Sequence, residues 1–274
     1  IKYFIYFLSQ NSEKLMHNYN ILQKFLHDFI FKNKIINKSL FEFEKFLYLK
    51  DKDIKNEQHI FISSLPRSGT TSLLNYIFNS NIFASLTYKN MPFLLSPNFS
   101  KLFNKKNIPE KERLHADGIT YDLNSPEALD ELFFDNDKEF IKNELINYIK
   151  LILLSENKKK YLSKNNLNFK RIDMIHSLLP NSLFLIPIRE PLQHAYSLLN
   201  QHILFNRLHK KDNFISRYMN YLGHNEFGII HKPWNPPINY KDLNNIDYWL
   251  EQWVLFYKNI LEKYKSHNNC LFII

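Results

Sequence analysis

Segments with apolar residues at helical spacing alternate along the chain with short, continuous apolar runs. Residues 13–32 carry apolar side chains at three- and four-residue steps, which predicts an amphipathic helix, and residues 39–49 predict a weaker one. Residues 58–64 are a short run rich in β-branched and aromatic side chains between polar neighbours, which predicts a buried strand. Helical spacing resumes at residues 73–78. The pattern therefore predicts a strand, a tight loop and a helix in succession.

The alternation continues towards the C-terminus. Further strands are predicted at residues 182–188 and 270–274. Further helices are predicted at residues 139–154, 169–179, 192–205 and 247–265, and another is predicted to begin at Ser125 and Pro126. Residues 206–240 are predicted to form a polar loop. Strands that alternate with helices indicate an α/β fold whose parallel sheet is covered on both faces.

Composition narrows the classes of protein that fit. The chain has 274 residues, of which 45% are hydrophobic, with only 4 glycines and 11 prolines, so collagen-like and disordered chains are excluded. A single cysteine, Cys270, excludes an intramolecular disulfide and a cysteine-based zinc site. The net charge of +9 indicates an anionic partner, although a lysine-rich solvated surface explains it equally well.

No segment approaches the roughly 18 apolar residues that a membrane-spanning helix needs. The chain does not begin with Met, and it stops inside an apolar run. We therefore expect it to be part of a longer protein. A cytoplasmic location is the expectation for the chain as given.

The loop after the first predicted strand has the groups that bind a phosphate. Its backbone N–H groups and the positive end of the following helix dipole converge on one point. Gly69 permits close approach of an anion, and Arg67 provides a positive fork. Hydroxyl donors come from Ser68, Thr70 and Thr71. An ordinary strand-to-helix turn with capping hydroxyls is the alternative.

This loop differs from the one that binds nucleoside triphosphates. Ser64 stands where that pattern has its first glycine, and Thr70 stands where it has its lysine. The second predicted strand ends in Arg189, where a magnesium-binding enzyme has an aspartate. The loop is therefore predicted to hold an anion without a metal ion.

A second anion-binding pair follows the second predicted strand. Arg189 lies at the carboxyl end of that strand, and Ser197 lies two turns into the next helix. Ligands of open parallel sheets bind at the carboxyl ends of the strands. Both side chains are therefore expected near the first loop.

Together the two segments resemble the sulfotransferase superfamily. Its first motif, P-[KR]-S-G-T-T, is matched by residues 66–71, and its second, R-x-P with a later serine, is matched by Arg189, Pro191 and Ser197. The resemblance implies a P-loop-like three-layer α/β sandwich, with a central parallel sheet flanked by helices. It implies a sulfuryl donor, 3′-phosphoadenosine 5′-phosphosulfate, and no metal. Residues that would bind the 5′-phosphosulfate are Arg67, Ser68, Gly69, Thr70, Thr71 and Ser72, and those for the 3′-phosphate are Arg189 and Ser197.

Other segments extend the resemblance towards the bacterial and tyrosylprotein-type branch. Residues 163–166 look like the family's lysine-containing segment, which implies that Lys164 acts with Arg67 as a cationic clamp. Residues 115–118 and 125–128 are similar to segments of bacterial members. The tyrosylprotein-type pattern has a glutamate about twenty residues after its motif arginine, and this chain has none there. The candidates for the base that removes the acceptor's proton are His115 and Glu127, followed by Asp117 and Glu131.

The resemblance divides the chain and limits its partners. Residues 1–55 are expected to form an N-terminal helical segment, and residues 56–274 a sulfotransferase domain that is incomplete at its C-terminus. The acceptor is open among carbohydrate, peptide tyrosine, lipid and small alcohol, in a pocket built from residues 83–121 and 206–240. No nucleic-acid partner is expected, because no basic run is interleaved with aromatic residues. A nucleotide kinase or NTPase with a degenerate loop and a non-catalytic binder of anions are the alternatives.

Overall fold

A parallel sheet forms the centre of the computed structural model, which describes residues 21–51, 53–102, 111–112, 120–236 and 239–274. Its five strands are β1 (Ile60–Ile62), β2 (Phe83–Ala84), β5 (Lys160–Lys164), β6 (Leu183–Pro187) and β7 (Cys270–Ile273). Their order in the sheet is β2, β5, β1, β6, β7, and all pairs are parallel. Strands β3 (Lys111–Glu112) and β4 (Thr120–Tyr121) form a separate antiparallel pair.

Helices surround this sheet. They are α1 (Ile21–Lys32), α2 (Lys34–Tyr48), α3 (Thr70–Phe78), α4 (Pro97–Ser100), α5 (Glu131–Phe134), α6 (Lys138–Glu156), α7 (Ile172–Leu178), α8 (Pro191–Lys211), α9 (Asn213–Tyr221) and α10 (Ile246–Tyr264). No helix in the described part of the chain is long and apolar enough to cross a membrane.

Both faces of the sheet are buried. Phe61 of β1 points into the large core that most of the helices share. Its neighbours Ile60 and Ile62 point the other way, into a smaller core that includes Leu74 of α3. Alternate residues of a strand face opposite sides of its sheet, so this division defines three layers. The predicted α/β fold with a central parallel sheet flanked by helices is confirmed.

The register of β1 decides where the site forms. Ile60 pairs with Leu162 of β5 on one side and with Leu183 of β6 on the other. Because the strands are parallel and adjacent, their carboxyl ends meet along one rim. The loop after β1, Lys164 at the end of β5 and Arg189 just after β6 therefore lie together.

Several sequence-based predictions of elements need correction. The helix predicted to begin at Ser125 and Pro126 is wrong: Pro126 instead forms an antiparallel bridge with Thr87, and α5 begins at Glu131. The Ser125 hydroxyl donates to Asp122 at 2.9 Å and so closes a turn rather than capping a helix. Strand β5 was not predicted, and α9 lies inside the predicted polar loop. Part of the first predicted helix, residues 13–20, lies outside the described residues.

The N-terminal helices α1 and α2 contribute to the same core as the rest of the chain, through side chains such as Phe31 and Phe41. Glu44 of α2 is fully buried and connects α2 to α4. Its carboxylate accepts from the backbone N–H of Asn98 at 3.1 Å, from the Asn98 side chain at 2.8 Å and from the N–H of Phe99 at 3.0 Å. The division of the chain at residue 55 stays a prediction.

We expect Glu44→Ala to lower the free energy of unfolding by about 1–3 kcal/mol, because it leaves buried N–H donors without an acceptor. Urea unfolding followed by circular dichroism measures this. The matched control is Glu42→Ala, which removes an exposed surface pair with Lys45 and should change stability by less than about 1 kcal/mol. Equal stabilities of the two variants would contradict the role assigned to Glu44.

Candidate active site

The loop between β1 and α3 has an unusual backbone. Arg67 and Gly69 both adopt left-handed conformations, with φ of 72° and 93°. The positive φ of position 69 favours glycine there. A Cβ at this position would meet no atom within 4 Å, so the space above it is open. Thr70 begins α3, whose first N–H groups have no carbonyl partner within the helix. Residues Gly69, Thr70, Thr71 and Ser72 line a cleft at this point.

Buried hydrogen bonds hold the loop from below. The Ser68 hydroxyl donates to the carbonyl of Leu65 at 2.8 Å, so it stabilises the turn rather than lining the cleft. The ring of His194, on α8, donates through Nε2 to the carbonyl of Pro66 at 2.8 Å. Burial, with the charges of Arg189 and Arg67, lowers the pKa of His194 to about 4. This histidine is therefore a neutral support of the loop at physiological pH.

The two predicted anion-binding segments touch each other. Nη1 of Arg189 donates to the carbonyl of Arg67 at 3.1 Å, and Nε of Arg67 donates to the Ser197 hydroxyl at 3.2 Å. The Trp253 indole of α10 donates to the carbonyl of Arg189 at 3.2 Å. Two arginines and a serine, from segments more than a hundred residues apart, thus form one connected corner.

Lys164, at the end of β5, is paired with a buried acid. Its Nζ lies 3.2 Å from Oε1 of Glu127, and both side chains are almost completely buried. The same oxygen accepts from the N–H of Ala128 at 2.9 Å, and Oε2 accepts from the Tyr88 hydroxyl at 3.4 Å. Glu127 lies in an irregular segment before α5 and not in a first helical turn. Its carboxylate fixes the ammonium group of Lys164.

The cleft has a volume of about 200 Å³ and two walls of different chemistry. One wall is cationic and comes from the ends of β1, β5 and β6. It consists of Pro66, Arg67, Gly69, Thr70, Thr71, Ser72, Lys164 and Arg189. The other wall comes from α8, α9, the segment after α9 and the turn after β5. It consists of Asn166, Gln201, Phe205, Met219, His224, Glu226 and Phe227.

The sequence-predicted residues therefore reach the site to different extents. Arg67, Gly69, Thr70, Thr71, Ser72, Lys164 and Arg189 line the cleft. Ser197 and Glu127 contact the lining residues Arg67 and Lys164, and Ser68 bonds to Leu65 within the turn. Glu131 instead pairs with Arg171, through Nη2 at 2.6 Å. His115 and Asp117 lie outside the described residues, so their roles stay predictions.

No individual residue of the second wall was predicted, although four of its seven residues fall within 206–240, a segment expected to contribute to an acceptor pocket. A signal for part of it exists, because Gln201 and Phe205 follow Ser197 at steps of four and so share one face of α8. His224 and Glu226 carry no such pattern. Within the described residues, no three histidine, cysteine, aspartate or glutamate side chains form a group that would hold a metal ion.

Comparison with known proteins identifies the family. The model of the Sulfotransferase family matches residues 59–225, which is more than half of the chain. The chain therefore belongs to the Sulfotransferase family and is a transferase. No match is found among curated proteins. Among solved structures, the chain is similar to a crystal structure of sulfotransferase STF1 from Mycobacterium tuberculosis H37Rv, with 12% identity and a TM-score of 0.48, over 97% of this chain and 75% of that one.

We expect acid to destabilise the fold through two buried histidines of α8. Burial lowers the pKa of His194 and of His202 from 6.5 to about 4. An unfolded chain binds these protons near pH 6.5 and the folded chain does so only near 4, so stability is lost as the pH falls through this window. Each group contributes up to about 3 kcal/mol.

Urea unfolding at about pH 7 and about pH 5 tests this linkage. His194→Gln should reduce the difference in unfolding free energy between the two pH values. The control, His267→Gln, replaces an exposed histidine and should leave the difference unchanged. If the change in unfolding free energy between the two pH values is the same in the wild type, His194→Gln and His267→Gln, the role of His194 is contradicted.

Proposed function

We propose that this protein transfers a sulfuryl group from 3′-phosphoadenosine 5′-phosphosulfate to a hydroxyl or amine of an acceptor. The observation that carries the proposal is the hydrogen bond between Nη1 of Arg189 and the carbonyl of Arg67, at 3.1 Å. This bond joins the two segments that are predicted to bind anions, at a separation that a single nucleotide would span. The donor carries two anionic groups on one nucleoside, which is what such a corner would bind.

The residues of the cationic wall suit the two groups of the donor. The N–H groups and hydroxyls at the start of α3, with Arg67, would hold the 5′-phosphosulfate, since a helix N-terminus attracts anions. Arg189 and Ser197 would hold the 3′-phosphate. The open space above Gly69 allows an anionic oxygen to approach the backbone closely.

For the transfer itself, the chain supplies position and positive charge. Charge develops on the leaving 5′-phosphate oxygen and on the equatorial oxygens of the sulfuryl group, so a cationic clamp lowers the barrier. Arg67 and Lys164 are the groups of this clamp. In related phosphoryl transfers a single arginine contributes about 10³- to 10⁵-fold. Glu127 keeps the Lys164 ammonium in place, with Nζ 3.2 Å from its buried carboxylate.

A kinase or NTPase with a degenerate loop is the second candidate. It needs a lysine for the terminal phosphates and a carboxylate for magnesium. Thr70 and Arg189 occupy the corresponding positions of this chain. The acceptor remains to be chosen by assay among carbohydrate, peptide tyrosine, lipid and small alcohol.

We expect adenosine 3′,5′-bisphosphate to stabilise the fold by about 2.7 kcal/mol at a hundred times its dissociation constant. Magnesium-ATP at the same concentration should have a much smaller effect. Arg189→Ala should remove most of the stabilisation, because it removes a cation from the 3′-phosphate corner. Thermal unfolding with and without each nucleotide is the measurement.

Arg207→Ala is the matched control for Arg189→Ala. Arg207 is exposed on α8 and does not line the cleft, so its loss changes the net charge equally and should leave nucleotide binding unchanged. A larger response to magnesium-ATP would favour the kinase. Stabilisation by neither nucleotide would favour a non-catalytic binder of other anions.

We expect Lys164→Met to lower kcat by about 10²- to 10³-fold, as loss of one preorganised electrostatic group does. The substitution should be made together with Glu127→Gln, because an unpaired buried carboxylate would destabilise the fold. Release of adenosine 3′,5′-bisphosphate from the donor, with water and a panel of phenols, sugars and amines as acceptors, gives the rate. Glu127→Gln alone keeps the lysine but loses the carboxylate that positions it, so it should lower kcat much less than the double variant does. An equal loss in both proteins would contradict the clamp.

A further inference from the structure

The second wall of the cleft contains a histidine. Helix α9 ends at Tyr221, and the chain reverses at Gly223, whose φ is 72°. The N–H of His224 donates back to the carbonyl of Met219 at 2.9 Å, which closes the end of the helix. His224 follows this turn directly and lines the cleft together with Arg67 and Lys164.

Close packing fixes the position of this turn. A Cβ at position 223 would lie 2.1 Å from Cγ of Glu131, so only glycine fits both the space and the backbone conformation. The carboxylate of Glu131 is itself held by Nη2 of Arg171, at 2.6 and 2.8 Å, and by the Asn165 amide at 2.7 Å. The backbone before His224 therefore packs against Glu131, whose carboxylate is held in place by these hydrogen bonds.

A second acid lies beside the side chain of His224. Oε1 of Glu226 accepts from the Asn166 amide at 2.8 Å, and Oε2 lies 3.7 Å from Nδ1 of His224, an ion-pair distance. Burial raises the pKa of Glu226, but the contacts with His224 and Asn166 outweigh burial and lower it to about 2. Glu226 is therefore ionised at physiological pH. A carboxylate beside Nδ1 favours a proton on that nitrogen and leaves the lone pair on Nε2.

The other described candidates for a base are less suited. Both oxygens of Glu127 accept hydrogen bonds, and Glu127 does not line the cleft. His194 already donates through Nε2 to the carbonyl of Pro66. His224 is the only histidine among the described residues that line the cleft. Its neighbour Glu226 accepts a hydrogen bond from Asn166, which follows the strand that carries Lys164.

We propose that His224 is the general base of the transfer and that Glu226 is its positioning residue. Nε2 of His224 accepts the proton of the acceptor O–H or N–H while the acceptor atom bonds to sulfur. The bond from sulfur to the bridging oxygen breaks, and its electron pair leaves on the 5′-phosphate of adenosine 3′,5′-bisphosphate. This inference rests on the proposed function. It follows the logic by which a carboxylate orients a catalytic imidazole.

The experiment compares His224→Ala, Glu226→Gln and the exposed control His267→Gln. We expect His224→Ala to lower kcat for donor turnover by about 10²- to 10⁴-fold, with the KM for the donor and the affinity for adenosine 3′,5′-bisphosphate changed by less than about threefold. Added imidazole should restore at least about a tenth of the lost rate in His224→Ala, since it replaces the missing base. Glu226→Gln should lower kcat by about tenfold or more at an unchanged KM, and imidazole should not restore it.

The outcomes separate this inference from the proposed function. A wild-type protein that binds no adenosine 3′,5′-bisphosphate, or that turns over no donor, overturns the proposed function and the inference with it. Nucleotide binding and turnover in the wild type, with kcat retained in His224→Ala, overturns the inference alone. So does a His224→Ala protein that loses nucleotide binding and gains nothing from imidazole. A His115→Gln variant measured in parallel assigns the base elsewhere if it loses the rate and His224→Ala does not.

Discussion

Three adjacent parallel strands that end at one rim are the constraint on which the rest of the structure depends. Because β1 lies between β5 and β6, the loop after β1, Lys164 and Arg189 must converge. Three cationic groups in one cleft repel each other. The chain offsets that repulsion locally: the Arg67 carbonyl accepts from Arg189, and Glu127 pairs with Lys164. The cleft keeps its positive character while each cation has a fixed position.

Hydrogen bonds from helix α10 hold the strand ends at this rim. The Tyr257 hydroxyl lies 2.7 Å from the Ser64 hydroxyl and donates to the carbonyl of Pro187 at 3.0 Å, so one side chain joins the ends of β1 and β6. Burial raises the pKa of Tyr257 to about 12, so the phenol remains protonated and keeps donating. One helical turn earlier, Trp253 holds the carbonyl of Arg189. A helix remote in sequence thus fixes the distance between the loop after β1 and Arg189, and preorganisation of this kind is how charge stabilises a transition state.

The sequence predicted the parts of the site that local chemistry determines. The loop around Gly69 is visible because a strand, a left-handed glycine and a helix start follow one another, and Arg189 is visible because it ends a strongly apolar strand. Strand β5 was missed, since lysines stand at both of its ends and its apolar run is short. The helix start at Ser125 was wrong because pairing of Pro126 with Thr87 overrides the local capping pattern. No local signal reveals that Gly223 rests on Glu131, some ninety residues earlier in the chain.

The two walls of the cleft differ in charge in a way that suits proton removal. Anionic groups of a donor would lie against Arg67, Arg189 and Lys164, whereas the ionised carboxylate of Glu226 belongs to the second wall. A proton that the acceptor passes to His224 arrives beside that carboxylate, which stabilises the new positive charge on the imidazole, while the cations stabilise the developing negative charge on the leaving oxygen. A base on the cationic wall would gain its proton beside Lys164 and would be disfavoured by it. This asymmetry is why a base on the second wall is physically more consistent with the cleft than Glu127, which the same lysine already neutralises.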